Sequence, residues 1–587
     1  MNLRDPDLLS LQEVRDLVER AFAAQQRWAT FSQAQIDAVI DAMAAAATQA
    51  AEPLARLAVE ETGYGNVPDK IKKNKFTSED VYRAIRPMRT VGILREDREK
   101  GVIEIAEPVG VVAAILPSTN PTSTAIYKIL ISLKARNAVV LSPHPAAKRC
   151  ICATADIMSR AALKAGAPEG IIGCLTQITM PATQELLRHR RVGVILSTGG
   201  TGVVRAAYSS GKPAFGVGPG NVPAYIERTA NLRKAVADII TGKCFDNGTI
   251  CSAEQAIVVE EPLRQAVLQE LREQGAYFLS AAEIQTLSRL VIRPETMLVN
   301  PRIVGRAAPV IAEMAGFNVP ASTRVLIAEL AGVGRDYPLS AEKLSPILAF
   351  YTVRNWQEAV ELCNRLLEFG GLGHTIAIHS QNDAVIREFG SRVRAYRVVV
   401  NSPSPHGSIG YSTRLFPAMT LGCGAVGGNI TSDNIGPQHL MNIKRVAYEA
   451  RAVEPITERL PARELPLPAP PPPPVAATPG AVPERRTIAR VVERFLAQKG
   501  VPRSRDNPGT ELPAPALAPP PPPESTPAPR VVDFVSERDV QLALQRAEKI
   551  FISPRTILTP SARDLGNAHD IFVETTARTP AMTRGVE

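Results

Sequence analysis

Cys251 is the residue of this sequence whose type and position best suit covalent chemistry. It follows Asp246, Asn247 and Gly248, a set of residues that favours a tight turn, and an apolar run at 256–259 then predicts a buried strand. A cysteine presented at a turn before a buried strand can act as a nucleophile. The spacing alone leaves a second interpretation open, in which Cys251 is a small residue of the core.

Composition bounds the class of protein. The 587 residues have an apolar content of 45%, which suffices for a sizeable core, and the length allows several domains. The net charge of +9 is spread along the chain without a dense basic run or interleaved aromatic residues, which argues against nucleic acid. The seven cysteines form no regular framework, and no Cys/His cluster has the spacing of metal ligands. Without a signal segment or a membrane-length apolar run, we expect a soluble cytoplasmic protein with no membrane partner.

The elements that must position Cys251 follow an α/β pattern. Residues 8–62 predict helices, and residues 90–106 alternate around a polar turn, which predicts a β-hairpin. From residue 109 onward, strands alternate with helices as in a doubly wound, Rossmann-like sheet. We predict strands at 111–116, 138–141, 171–175 and 192–196, with helices at 123–134 and 146–165. A first domain over 1–212 and a second α/β domain over 213–425 follow from this pattern.

A glycine-rich turn follows the strand at 192–196. It contains Thr198, Gly199 and Gly200 and opens a helix near Val203. Glycines at such a turn let the backbone approach a phosphate, and a helix N-terminus favours negative charge. The full dinucleotide-binding spacing is missing, so a plain tight turn is an equal interpretation.

The C-terminal quarter has a different composition. Pro-rich stretches at 461–484 and 501–530 predict disordered, extended linkers. The segment 485–500 between them predicts a basic helix with one apolar face, which either folds back on the body or docks into a partner's groove. A small module at 531–587 begins with a capping box from Ser536 to Asp539 and has no assignable chemistry.

The run 245–255, Phe-Asp-Asn-Gly-Thr-Ile-Cys-Ser-Ala-Glu-Gln, resembles the nucleophile segment of the aldehyde dehydrogenase superfamily, specifically its CoA-acylating branch. The resemblance covers about residues 1–450. Runs at 106–110, 120–125, 208–213 and 371–375 are similar to the acylating domain of bifunctional aldehyde–alcohol dehydrogenases. It implies an aldehyde-dehydrogenase-like α/β fold, with a Rossmann-like cofactor domain and an α/β catalytic domain. It also implies a homo-oligomer, dimer or tetramer, joined by the 90–106 hairpin and a return segment at 426–460.

The resemblance assigns roles to particular residues. Cys251 is the nucleophile, Asn120 donates to the oxyanion, and His374 lies near the point where the CoA thiol arrives. Without the resemblance, a second interpretation is open for each residue. Asn120 can belong to an ordinary Asn-Pro turn, and His374 can be a structural histidine with its hydrogen bonds satisfied. Glu342 holds the nicotinamide ribose, and His144 stands where related enzymes carry a Lys at the adenosine ribose, so NAD and NADP both remain open. Further cofactor contacts are Pro117, Ser118, Thr119, Thr198, Gly199 and Gly200.

Residues 216–221, Gly-Val-Gly-Pro-Gly-Asn, replace the Glu-Leu-Gly-Gly-Lys of hydrolytic family members. No carboxylate stands at the position of the base that activates water, so the CoA thiol can take the acyl group from the enzyme. We therefore expect CoA-dependent oxidation of a short aldehyde, propionaldehyde first and acetaldehyde second. The 485–500 segment resembles the encapsulation peptides that recruit enzymes to the shell of bacterial microcompartments. The alternatives are a dehydrogenase of aldehydes or semialdehydes that does not use CoA, and an inactive scaffold.

Overall fold

The computed structural model describes residues 5–453, 532–546, 548–553 and 556–574. The linkers expected at 461–484 and 501–530 and the docking helix expected at 485–500 lie outside these residues. The chain forms two compact units, one within 1–457 and one within 458–587. No helix among the described residues combines the length and apolarity that a membrane crossing needs.

Helices form the N-terminal part of the first unit, as the sequence predicts. The Asp5 carboxylate accepts a hydrogen bond from the backbone N–H of Asp7 and starts the first helix, and a capping box from Ser32 to Gln35 starts the second. Their apolar faces pack into the core of the first sheet. The helices are α1 (Pro6–Trp28), α2 (Gln33–Gln49), α3 (Ala51–Thr62), α4 (Val67–Lys75) and α5 (Tyr82–Ile85).

The expected hairpin and Rossmann-like sheet follow in the chain. Strands β1 (Ile93–Asp97) and β2 (Val102–Pro108) pair antiparallel. A parallel sheet in the order β5-β4-β3-β6-β7 then forms, and its central strands are apolar runs because both faces are covered by helices. The strands are β3 (Val111–Ile115), β4 (Ala138–Ser142), β5 (Ile172–Cys174), β6 (Val192–Thr198) and β7 (Ala214–Val217), with α6 (Pro121–Lys134), α7 (Lys148–Lys164), α8 (Met180–Arg188) and α9 (Thr201–Tyr208).

The boundary expected at 212/213 differs from the sheet connectivity. Strand β7 pairs in parallel with β6, so the first sheet extends to Val217. Strand β7 has only four residues, too few to stand out in the sequence. The predicted boundary therefore falls just before it.

A second, seven-stranded parallel sheet carries the region around Cys251. Its order is β10-β11-β12-β9-β8-β13-β14. Its strands are β8 (Val222–Ile226), β9 (Glu254–Glu260), β10 (Ala276–Phe278), β11 (Val325–Glu329), β12 (Ile347–Val353), β13 (Ile376–His379) and β14 (Val398–Val400). The helices are α10 (Leu232–Cys244), α11 (Arg264–Glu273), α12 (Ala281–Val291), α13 (Ala308–Met314), α14 (Trp356–Phe369), α15 (Asp383–Arg392) and α16 (Ser404–Ser408).

The segment after residue 426 returns to the hairpin. Strand β15 (Met441–Ala447) pairs antiparallel with β2, with Met441 opposite Pro108, and completes a three-stranded sheet in the order β1-β2-β15. Several outward residues of this sheet are exposed and apolar: Ile93, Val446 and the neighbouring Tyr448.

The second unit contains two strand–helix–strand halves. The first half is β16 (Phe534–Val535), α17 (Glu537–Arg546) and β17 (Ile550–Ile552), and the second is β18 (Ile557–Leu558), α18 (Pro560–Ala568) and β19 (Phe572–Glu574). The two halves pair strand to strand in parallel. One half of the predicted capping box is seen: the Asp539 carboxylate accepts hydrogen bonds from the backbone N–H and the hydroxyl of Ser536 at 2.8 and 2.6 Å, while the Asp539 N–H donates to the backbone carbonyl of Ser536 at 3.1 Å.

Candidate functional site

One cavity of about 380 Å³ gathers most of the residues that the sequence singled out. It lies between the carboxyl edge of the first sheet, where β3, β4 and β6 end, and the amino edge of the second, where β9 and β12 begin. Apolar side chains of Val217, Val299, Val304 and Leu344 complete part of its wall. The predicted site residues that line it are Cys251, Asn120, Pro117, Ser118, Thr119, His144, Thr198, Gly199, Gly200 and Glu342.

The turn before the candidate nucleophile has an uncommon backbone conformation. Asp246, Asn247 and Gly248 have φ values of 49°, 54° and 75°. A left-handed conformation costs a residue with a side chain about 1–2 kcal/mol, so the surroundings must hold this turn. The buried carboxylate of Asp246 accepts hydrogen bonds from the backbone N–H of Asn66 at 2.8 Å and from the hydroxyl of Thr249 at 2.6 Å. These contacts fix the turn to the start of α4.

His374, which precedes β13, reaches the same thiol. Its Nε2 lies 3.3 Å from the Cys251 Sγ. Burial, reinforced by the positive charge of Arg397, lowers the pKa of His374 to about 3. Loss of solvent, reinforced by the charge of Glu342, raises the pKa of Cys251 to about 12. The pair is therefore a thiol in contact with a neutral imidazole, the arrangement of a nucleophile and its base.

Two further residues support the imidazole. The Nδ1 of His374 lies 2.9 Å from the Thr375 hydroxyl, and the Nε of Arg397 donates to that hydroxyl at 3.4 Å. A hydroxyl can donate to Nδ1 or accept from it, so Thr375 is compatible with either imidazole tautomer. Arg397 is itself held by the backbone carbonyl of Ser432 at 2.9 Å.

Asn120 lies at the start of α6 but does not cap that helix with its side chain. Its Oδ1 instead accepts a hydrogen bond from the Nζ of Lys73 at 2.5 Å. Its Nδ2 donates to the backbone carbonyl of Thr249 and to the Thr119 hydroxyl, both at 3.2 Å. The amide therefore lies between α4 and the turn that carries the nucleophile.

The glycine-rich stretch 216–221 passes directly beside the nucleophile. The backbone N–H of Gly220 donates to Oε1 of Glu342 at 3.0 Å. A Cβ on Gly220 would lie 2.2 Å from the carbonyl oxygen of Cys251 and 3.2 Å from Cγ of His374, so a side chain does not fit there. Among the described residues that line the cavity, the one carboxylate is Glu342. Burial raises its pKa to about 7, against the opposing hydrogen bond from Gly220.

Comparisons with known proteins agree with this geometry. Residues 6–278 match the aldehyde dehydrogenase family. A solved acetylating aldehyde dehydrogenase from Geobacillus thermoglucosidasius is 54% identical, with a TM-score of 0.76 over 77% of this chain and 100% of its own. The chain belongs to the aldehyde dehydrogenase family.

The chain is also similar to two other members of the family. The bifunctional aldehyde-alcohol dehydrogenase AdhE of Escherichia coli (strain K12) is 45% identical over 446 residues, which cover 75% of this chain and 50% of that protein. This chain thus spans about half the length of the curated aldehyde–alcohol dehydrogenases that it matches. A propionaldehyde dehydrogenase from the fucose utilisation bacterial microcompartment of Clostridium phytofermentans is 31% identical, with a TM-score of 0.67 over 74% of this chain and 97% of its own.

The nicotinamide dinucleotide used by aldehyde dehydrogenases fits the residues present. The N-cap of α9 is Gly200, and a Cβ there or on Gly218 would meet no atom within 4 Å, so the space at the helix N-terminus is open. The Thr198 hydroxyl is buried at the cavity wall and has no hydrogen-bond partner among the described residues. A phosphate of the dinucleotide can accept hydrogen bonds from the backbone N–H groups at the start of α9 and from the Thr198 hydroxyl. No group of three or more potential metal ligands is found in the described part of the chain.

Sequence reasoning missed Lys73, Asp246, Thr375 and Arg397, which support the site. The run of lysines from 70 to 75 indicates a solvated helix face, yet the structure buries positions 70, 73, 74 and 77 at helical spacing. That face is polar, so hydropathy cannot detect it. The helical spacing of Lys70 and Lys73 beside Asn74 and Thr77 is the one signal that the sequence offers.

Proposed function

We propose that this chain oxidises an aldehyde with CoA and NAD(P)+ to an acyl-CoA and NAD(P)H, by way of a thioester on Cys251. The observation that carries this proposal is the environment of the thiol. His374 contacts it as a base, while glycine occupies position 220, where no side chain fits. A water molecule therefore has no dedicated carboxylate base in the 216–221 stretch, and an external thiol can compete for the acyl group.

The residues support the following first step. The Nε2 of His374 accepts the thiol proton while Sγ bonds to the aldehyde carbon, and Nδ2 of Asn120 donates to the resulting oxyanion. The pKa values of the two groups favour the neutral pair, so the proton leaves Cys251 as the carbonyl is attacked, not before. When bound, the oxidised nicotinamide supplies the hydride acceptor. Loss of hydride from the thiohemiacetal leaves the thioester on Cys251, and His374 releases its proton to solvent.

The second step uses the same groups. Neutral His374 accepts the proton of the CoA thiol, the CoA sulfur bonds to the thioester carbon, and the bond from that carbon to Cys251 Sγ breaks. Asn120 again donates to the oxyanion. The Cys251 thiolate is reprotonated, and acyl-CoA leaves with the energy of the thioester conserved.

Formation of NADH from propionaldehyde should depend strictly on CoA. Without CoA we expect steady-state turnover to fall at least about 100-fold, because the 216–221 stretch offers no carboxylate base to activate water. The measurement is NADH absorbance with and without CoA, repeated with acetaldehyde and with NADP+ to rank substrates and cofactors. Equal turnover without CoA would contradict an acylating mechanism and favour a dehydrogenase that does not use CoA. An inactive scaffold is disfavoured by the assembled contact between Cys251 and His374.

The substrate and partners are also part of the proposal. We place propionaldehyde before acetaldehyde, in line with the similarity to a propionaldehyde dehydrogenase from a microcompartment. The sheet β1-β2-β15 joins copies of the chain into a dimer or tetramer, since β15 is an edge strand with exposed apolar neighbours. The segment 485–500 binds shell proteins and directs the enzyme to a bacterial microcompartment lumen.

Deletion of residues 461–587 should separate catalysis from targeting. The site lies wholly within the first unit, so the truncated enzyme should keep its CoA-dependent turnover within about twofold. Fluorescently tagged full-length and truncated chains, expressed with shell proteins, provide the localisation measurement. Equal enrichment of both at the shell would refute the targeting role, and deletion of 531–587 alone serves as the control for the C-terminal module.

A further inference from the structure

Lys73 is a buried cation beside the proposed oxyanion donor. It is 2% exposed and lies on α4, outside the cavity lining. Its Nζ pairs with the Asp246 carboxylate, donates to Oδ1 of Asn120 and lies 3.4 Å from the Thr249 hydroxyl. A charge is costly to bury unless its hydrogen bonds are satisfied, so each of these contacts constrains its partner.

Two lysines share one carboxylate here. Lys70, one helical turn earlier, also pairs with Asp246, at 3.0 Å, and donates to the backbone carbonyl of Thr119 at 3.0 Å. Burial alone would raise the pKa of Asp246, but the charges of Lys73 and Lys70 outweigh it and hold the pKa below its ordinary value. Asp246 therefore anchors Lys73 as an anion. Of the two lysines, Lys73 is the one bonded to the side chain of Asn120.

We propose that Lys73 is a positioning residue that fixes the carboxamide of Asn120, so that its amino group and not its oxygen is available to the oxyanion. An Asn at a helix start normally uses its oxygen to cap the helix, and here that oxygen is taken by Lys73. An ammonium group can only donate, so Oδ1 must face α4 and Nδ2 must face the nucleophile turn. Rotation of the amide by 180° would turn its oxygen toward a developing negative charge.

The same bond strengthens the donor. A cation on Oδ1 polarises the amide, and hydrogen bonds in such a chain reinforce one another. The two resting bonds of Nδ2 are 3.2 Å long and go to neutral acceptors. A negatively charged oxygen is a stronger acceptor and would replace one of them.

This inference rests on the proposed function in one respect, which is that Asn120 donates to an oxyanion formed at Cys251. Acylation of Cys251 by p-nitrophenyl acetate tests the inference separately. In that reaction His374 accepts the thiol proton, Sγ bonds to the acetyl carbon through a tetrahedral oxyanion, and the ester bond breaks to release p-nitrophenolate. Neither aldehyde, CoA nor nicotinamide takes part. Failure of CoA-dependent oxidation would therefore refute the proposed function without affecting this test.

The experiment measures p-nitrophenolate release by stopped flow. Lys73→Met should slow acylation about 10- to 30-fold, through the rate constant of acylation and not through the affinity for the ester. This loss is smaller than the about 100-fold loss that we expect for Asn120→Ala, which removes the donor itself. Lys70→Met removes the same charge from the same carboxylate without touching the Asn120 side chain, and should change the rate less than about threefold. Adding Lys73→Met to Asn120→Ala should have no further effect, because the two residues act as one unit.

Two results would overturn the proposal. One is an equal loss in Lys70→Met and Lys73→Met, which would indicate a general structural role for the ion cluster. The other is a Lys73→Met effect of the same size with and without Asn120. If Lys73→Met does not fold, Lys73→Gln keeps an N–H donor on a side chain of similar length and should give an intermediate rate that depends on Asn120 in the same way.

Discussion

Cys251→Ala should lower CoA-dependent aldehyde oxidation by at least about 10⁴-fold, because it removes the atom that carries the acyl group in both steps. The fold should survive, since one sulfur atom is lost from a partly exposed position and the cost in unfolding free energy is about 1 kcal/mol or less. The measurements are NADH formation with CoA present and the thermal unfolding midpoint. Asn120 and His374 remain in place in this variant, so they would account for any residual rate.

Cys423→Ala is the matched control for this prediction. Cys423 is a buried cysteine of the same unit, and burial raises the pKa of its thiol to about 11, yet it has no place in the proposed chemistry. Its replacement should leave turnover within a few-fold.

Incubation of the wild type with propionaldehyde and NAD+ but without CoA should leave a propionyl group on the peptide that contains Cys251, detectable by mass spectrometry. Turnover of Cys251→Ala near the wild-type rate, or an acyl group on another cysteine, would refute the thioester mechanism.

The sequence predicts the parallel sheets well, because a strand that is buried on both faces must be a continuous apolar run. The run at 138–141 differs from β4 by only one residue. The same logic misses β7, whose four residues begin just after the expected domain boundary. The α/β fold of the aldehyde dehydrogenase type is confirmed, since it rests on the pattern of the whole chain rather than on any single element.

The site was predictable only in part, and the reason is tertiary. Cys251, Asn120 and Glu342 follow from resemblance and lie in one cavity. The direct contact of His374 with the thiol, and the burial of Lys73 against Asp246, depend on side chains from distant segments meeting. No local pattern distinguishes a lysine that pairs with a distant aspartate from one that faces solvent.

His374→Ala should lower the rate of Cys251 acylation by about 10²- to 10⁴-fold, the usual contribution of a positioned base. The contact of Nε2 with Sγ at 3.3 Å gives the physical reason, since a thiol of pKa about 12 needs a proton acceptor at the moment of attack. The deacylation by CoA should slow as well, because the same imidazole accepts the CoA proton. Single-turnover NADH formation and the subsequent rate of acyl transfer to CoA measure the two steps separately.

The pH dependence distinguishes a base from a structural histidine. Since the pKa of His374 is lowered to about 3, its imidazole stays neutral above that pH, and the wild-type rate should show no acidic decline near the ordinary histidine pKa of about 6.5. In His374→Ala only the thiolate fraction of Cys251 reacts, so the rate should rise about tenfold per pH unit while the pH stays below the thiol pKa. His379, the last residue of β13, is another buried histidine. Its replacement in His379→Gln should lower stability and leave the pH profile unchanged. A His374→Ala enzyme with the wild-type profile would show that another group removes the proton, and Glu342, the one carboxylate among the described residues that line the cavity, would then be the residue to replace next.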